Sequence, residues 1–210
     1  MIGARLLDWG VVEYAAARER QLEVLAARQL GDVPDTLIFL EHPHVITVGR
    51  TRGAAANVLA AGDVPVIETE RGGDATYHGP GQIVGYPIVQ LGDGEKDLHR
   101  FLRNLEEGMI RALASFGVKA DRKAGATGVW VGAAKIASIG IACRKWITFH
   151  GLALNVATDL GYFARINPCG FDASVMTSLA RLLGQPVSPS DVKPVLAREL
   201  GAALGRSFAF

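Results

Sequence analysis

The chain lacks the features that announce several large classes of protein. Only two of its 210 residues are cysteines, Cys143 and Cys169, too few for a disulfide framework, and no Cys or His spacing matches a zinc site. Two unpaired thiols fit a reducing, cytoplasmic setting. No apolar run reaches the roughly 18 residues of a membrane span, because Arg, Asp, Gly or Pro interrupts each candidate. The opening MIGARLLDWGVVEYAA meets Asp and Glu early and does not read as an export signal. Charge of one sign is missing too: 22 Lys and Arg against 21 Asp and Glu leave a formal +1. The densest basic groups, Arg50/Arg52, Arg122/Lys123 and Arg144/Lys145, fall short of the clustered face that nucleic acid requires. The dipeptide Gly-Lys is absent, which excludes a Walker A loop, and nothing points to a metal or a bound cofactor.

What is present suits a compact enzyme-sized domain. Apolar residues make up 49% and charged ones 20%, enough to bury a sizeable core over this length. No repeat, low-complexity tract or long linker divides the chain, so one domain over residues 1–210 is expected. Residues 11–29 place Val12, Ala15, Ala16, Leu22, Leu25 and Ala26 near helical spacing, and Gly31 to Pro34 ends the pattern. TLIFLEHP, VITVGR, PVIETE and QIVGYPIVQL then read as strands. Over residues 97–116, Leu98, Phe101, Leu102, Leu105, Met109, Leu113 and Phe116 form one apolar stripe on a helix that should cover a sheet face. VWVGAAKIASIGIACRKWITFHGLALNV gives two or three more strands. Helices follow near residues 175–184 and 191–204, the last with Ser190 as its N-cap. Strands arriving in groups, separated by single helices, predict an α+β fold with a mixed or largely antiparallel sheet.

The densest chemical signal is RGGDATYHGPGQ, residues 71–82, where four glycines are interleaved with Arg71, Thr76, Tyr77 and His78. Gly and Pro between strands most often make only a turn. The polar residues among them favour a loop whose backbone N–H groups, at Gly72, Gly73, Gly79 and Gly81, approach a carbonyl or carboxylate. A dinucleotide fingerprint fits poorly, since Gly79, Gly81 and Gly85 give GxGxxxG and lead into a strand.

Cys169 lies in INPCGF, between Pro168 and Gly170, in the kind of loop that often mounts a nucleophile. Cys143, inside IGIACRKW, reads as a small hydrophobe. An ordinary thiol is only a few per cent thiolate at neutral pH, so Cys169 needs an activating neighbour. Lys135 interrupts a small apolar stretch, where an unpaired lysine is unfavourable. Beside Cys169 it would act as a cation favouring thiolate, or as a base once burial disfavours its charge. His78 and His150 are competing bases. His42 and His44 lack a third ligand at recognisable spacing and read as surface or structural residues.

Taken together, RGGDATYHGPGQ, KIASIG, FHGLALNV, INPCGF with its following TSL, and the earlier EHPHVITVGR resemble the lipoyl(octanoyl) transferase family across nearly the whole chain. The resemblance implies a fold like the catalytic domain of biotin and lipoate ligases. It implies that Cys169 accepts octanoyl from acyl carrier protein and yields it to a lysine of a lipoyl domain, in 2-oxoacid dehydrogenases or the glycine cleavage H protein, with Lys135 activating the thiol. Arg71, Gly72, Gly73, Asp74, Ala75, Thr76, Tyr77 and His78, then Ser138, Ile139 and Gly140, then Gly151, Leu152 and Ala153, would line the substrate site. Ser138 stands where the family often has alanine, which bears on the polarity of the pocket. Thioester exchange followed by amide formation needs no ATP. A monomer without membrane or nucleic-acid partners is expected. The alternatives are an ATP-dependent lipoate or biotin ligase, a non-catalytic lipoyl-domain or acyl-carrier binding protein, and a thioesterase.

Overall fold

The computed structural model describes residues 1–167 and 172–209. The chain opens with β1 (Ile2–Val11), which the sequence reading missed, and continues into α1 (Tyr14–Leu30). Gly31, at φ 85° in the left-handed region, terminates that helix where the Gly-to-Pro segment foretold. β2 (Thr36–Glu41) and β3 (Val45–Val48) follow, then β4 (Val66–Glu68), shorter than PVIETE suggests, β5 (Thr76–His78) and β6 (Gln82–Ile88). α2 (Leu98–Ala114) starts at Asp97, whose carboxylate accepts the Arg100 N–H at 3.0 Å. β7 (Asp121–Lys123), β8 (Ala126–Val131), β9 (Ala134–Arg144) and β10 (Ile147–Asn155) come next. The chain closes with α3 (Leu179–Leu183), α4 (Pro189–Leu204) and β11 (Arg206–Ala209).

Two further differences from expectation have physical reasons. α4 is capped by Ser188, not Ser190, because Pro189 suits the first helical position, where no N–H is needed, and so moves the start back. β11 ends in a short mixed sequence that carries no period-2 signal. It is fixed by Arg206, only 2% exposed, which donates to Asp35 at 2.7 Å and to Glu95 at 2.6 and 2.8 Å.

Eight strands form one mixed sheet in the order β11-β1-β2-β6-β10-β9-β8-β7. β11, β1 and β2 run parallel, and every later neighbour pair is antiparallel. Parallel β1 and β2 need a crossover, which α1 supplies. One face carries the larger core, where Phe101, Leu105 and Met109 of α2 and Leu196 and Leu200 of α4 pack on Ile83, Ala137 and Leu152. The other face packs Leu25 of α1 on Val84, Tyr86 and Phe149. A second, three-stranded sheet, β4-β3-β5, gathers its own core around Ile46, Tyr77 and Phe163. It carries the glycine-rich loop to the edge of the main sheet.

Candidate active site

The site forms where β8 stops pairing with β9. That ladder ends at Val129 and Ala137, leaving the edge of β9 beyond it open. The glycine-rich loop takes its place, with the Gly72 N–H donating to the Ile141 carbonyl at 2.8 Å. A Cβ at Gly140 would lie 2.7 Å from the Gly72 carbonyl oxygen, so glycine is required for this approach. Arg71, 7% exposed, anchors the loop from beneath: its Nη2 donates to the Thr47 carbonyl at 2.7 Å and to Thr47 Oγ1 at 2.8 Å. Asp74 accepts from Asn57 Nδ2 at 2.8 Å and from the Ala75 N–H at 2.6 Å. Two of the glycine donors are spent on the protein itself, Gly72 as described and Gly81 on the Glu41 carboxylate at 2.8 Å.

Between the loop and the sheet lies a hollow lined by Arg71, Gly73, Asp74, Thr76, His78, Ser138, Ile139, Gly140, Gly151, Leu152 and Ala153, all from the three segments the sequence nominates. Tyr14, Val84, Tyr86 and His150 complete it. A second hollow shares Gly73, Asp74, Ile139 and Gly140 with the first and adds Gly72, Leu102 and Lys135. The remaining two nominated residues face elsewhere: Ala75 is fully buried, and Tyr77 packs in the core of the small sheet, its hydroxyl on His44 Nδ1 at 2.7 Å. Strand alternation explains this, since Thr76 and His78 of β5 face the hollow and Tyr77 between them turns away.

Lys135 is 1% exposed. Plain alternation would put it on the face of Ala137, Ile139 and Ile141, in the core under α2. A bulge prevents that. Ile136 is the extra residue between the pairs Trp130–Lys135 and Val129–Ala137, so Ile136 and Ala137 both enter the core. Lys135 falls on the opposite face, that of Ser138 and Gly140, with Nζ 5.7 Å from the centre of the Trp130 ring. Its backbone carbonyl accepts the Thr177 N–H at 2.9 Å.

Cys169 lies outside the described residues. The segments on either side are tied down: the Asn167 N–H donates to the Asn57 carbonyl at 2.8 Å, and Thr177 is held by Lys135. A buried relay joins Thr177 to the hollow, since its carbonyl accepts from Asn155 Nδ2 at 3.0 Å and Asn155 Oδ1 accepts from Gln82 Nε2 at 2.9 Å. Gln82 Oε1 then meets His78 Nδ1 at 2.7 Å. Burial pushes the His78 ring down to about 3, the His150 ring to about 4 and the His42 ring to about 4, so all three are neutral at physiological pH. His42 bonds to the Val12 carbonyl at 2.7 Å and the Tyr86 hydroxyl at 2.9 Å. Cys143 is half-buried on β9, and burial raises its thiol. Among the described residues no group of three or more His, Cys, Asp or Glu could hold a metal.

Sequence reasoning did not single out Tyr14, Thr47, Tyr86, Gln82 or Asn155: Thr47, Gln82 and Asn155 lie within quoted motifs without being named, and Tyr14 and Tyr86 sit on elements brought to the loop only by the fold.

The mixed sheet with helices on both faces is a fold shared with lipoate-protein and biotin-protein ligases. Lipoate-protein ligase A bound with ATP superposes with a TM-score of 0.80 at 19% identity, covering 100% of this chain and 88% of that one. Biotin protein ligase from Aquifex aeolicus gives 0.56 at 11% identity, over 98% and 70%. Residues 13–201 match the lipoyl protein ligase A/B catalytic domain, and the chain belongs to that family. Within it, an octanoyltransferase of Geobacter metallireducens is 50% identical over 190 residues, 90% of this chain and 88% of the relative. One from Rubrobacter xylanophilus is 47% identical over 93% and 91%.

Proposed function

We propose that this chain is an octanoyltransferase that carries octanoyl from acyl carrier protein, as a thioester on Cys169, to a lysine amine of a lipoyl domain. The Cys169 thiolate attacks the donor's thioester carbonyl, and the carrier's thiol leaves with a proton. The acceptor amine then attacks the new thioester, an amide forms, and the Cys169 sulfur departs. Lys135 serves the protons of both steps, and backbone N–H groups of the glycine-rich segments stabilise the tetrahedral oxyanion. Thioester-to-amide transfer runs downhill, so no nucleotide enters. The acceptors are lipoyl domains of 2-oxoacid dehydrogenases and the glycine cleavage H protein.

The observation that carries this reading is Lys135. This lysine is 1% exposed and turned out of the core by a bulge, and its backbone carbonyl is bonded to the segment that follows Cys169. Identity near 50% with octanoyltransferases supports the acyl group. The ligase-type fold raises one rival, activation of a free acid by ATP. Nucleotide dependence separates the two: purified protein, octanoyl-acyl carrier protein and an apo lipoyl domain should yield octanoyl-lipoyl domain without ATP. Product appearing only with ATP and free octanoate would establish a ligase instead.

A further inference from the structure

The hollow changes character along β10. Near Leu152 and Ala153 its walls are apolar, with Val84 and Ile139 alongside. At His150 they turn polar, formed by Tyr14, Tyr86 and His150. Three buried polar atoms gather around this end without a hydrogen-bond partner among the described residues: the Tyr14 hydroxyl, His150 Nε2 and Gln21 Nε2. The residues are 4%, 3% and 1% exposed. Thr69 stands beside Tyr14, and Glu70 Oε2 lies 3.7 Å from His150 Nε2, beyond hydrogen-bond distance.

This end is held in place. His150 has φ 55°, a left-handed conformation that non-glycine residues seldom adopt within a strand. Gln21 Oε1 of α1 accepts the His150 N–H at 3.0 Å and so fixes the turn of the ring into the hollow. Glu70 is gripped by Arg18 at 3.0 and 3.1 Å. Strain and orphaned polar atoms together at one wall mark a surface shaped for something other than stability.

The position of this wall suits a chain end. His150 pairs with Ile141 on β9, six residues from Lys135, which with Ile136 bulged is about 17 Å along the strand. The interval accommodates a lysine side chain, a thioester and an extended eight-carbon chain in sequence. We propose that Tyr14 and His150 form a polar stop that sets acyl-chain length, so that an octanoyl methyl ends before them and longer chains run against polar atoms. This rests on the acyl-transfer reading above. Within the apolar stretch each further methylene favours binding about fourfold. The gain reverses at the stop, where a further methylene has to push against the packed Tyr14 and His150 side chains and meets polar atoms it cannot partner.

The test compares octanoyl-, decanoyl- and dodecanoyl-acyl carrier proteins as donors, reading the rate of acyl-enzyme formation by intact mass. Tyr14→Phe keeps the ring and removes the hydroxyl; His150→Asn shortens the wall with a residue that tolerates left-handed backbone. Each should raise the decanoyl-to-octanoyl rate ratio about fivefold or more. An unchanged ratio in both, with octanoyl still accepted, overturns the stop. If wild type accepts no acyl group from any carrier, the transferase reading fails instead. Calorimetric binding of free octanoate and decanoate to the same three proteins then decides the stop, upheld by the same shift in preference and overturned by its absence.

Discussion

Gly128 and Lys135 share one volume. A Cβ at Gly128 would collide with the Ala137 carbonyl oxygen and come within 2.8 Å of the lysine's Cε, and Gly128 holds φ 127°. Gly128→Ala should therefore displace the lysine as well as strain the backbone. Acyl-enzyme formation should slow at least tenfold, with stability lower by about 1–2 kcal/mol. Single-turnover charging by octanoyl-acyl carrier protein beside urea unfolding measures both. A variant that charges at the wild-type rate would show that Lys135 does not depend on this space.

Glu106 holds Gly128 from the helix side. Its carboxylate, 0% exposed, accepts the Gly128 N–H at 3.0 Å and pairs with Arg103 at 2.7 Å and Arg122 at 3.2 Å. Both arginines are part-exposed, which weakens the pairs. Glu106→Gln keeps the shape and removes the charge, and should lower stability by about 1–3 kcal/mol in urea unfolding. No measurable loss would mean the buried carboxylate is dispensable.

The Asn155 relay offers a separate handle. Asn155→Ala strips the partner from the Thr177 carbonyl and from one proton of Gln82 Nε2, which still reaches the Tyr77 carbonyl at 3.2 Å. A loss of about 2 kcal/mol is expected. Charging should slow as well, because Thr177 is the residue that ties the segment after Cys169 to Lys135. Stability lost with the charging rate intact would leave the relay a purely structural role.

Three buried neutral histidines make stability depend on pH. His42, His78 and His150 are held at about 4, 3 and 4, below the ordinary value of 6.5. Their depressed values mean that the unfolded chain takes up protons first as pH falls. Stability should be full above about pH 6.5 and decline between there and pH 4, by up to about 1.4 kcal/mol per pH unit for each ring. Urea unfolding at pH 7, 6 and 5 measures this, and a flat profile would place the rings in solvent-like surroundings.

The elements with strong periodicity were legible in the sequence. The stripe from Leu98 to Leu113 became α2, the run around Ile83 became β6, and the three chemical segments lie around one pair of hollows. β1 and β11 were not legible, because the edge strand β11 and its neighbour β1 carry half-exposed, mixed residues that lack a clean alternation. The bulge at Ile136 was hidden for a related reason: a one-residue slip shows only when the partner strand is known. Tyr14 carries no local motif, and only the fold brings it to the loop.

The most direct measurement is peptide mapping of the protein after brief incubation with octanoyl-acyl carrier protein and no nucleotide. The expected result is an octanoyl group on the peptide holding Cys169, released by neutral hydroxylamine, missing in Cys169→Ser and formed far more slowly in Lys135→Ala, then discharged onto an apo lipoyl domain. An octanoylated lipoyl domain produced at full rate by Cys169→Ser would contradict the thioester route.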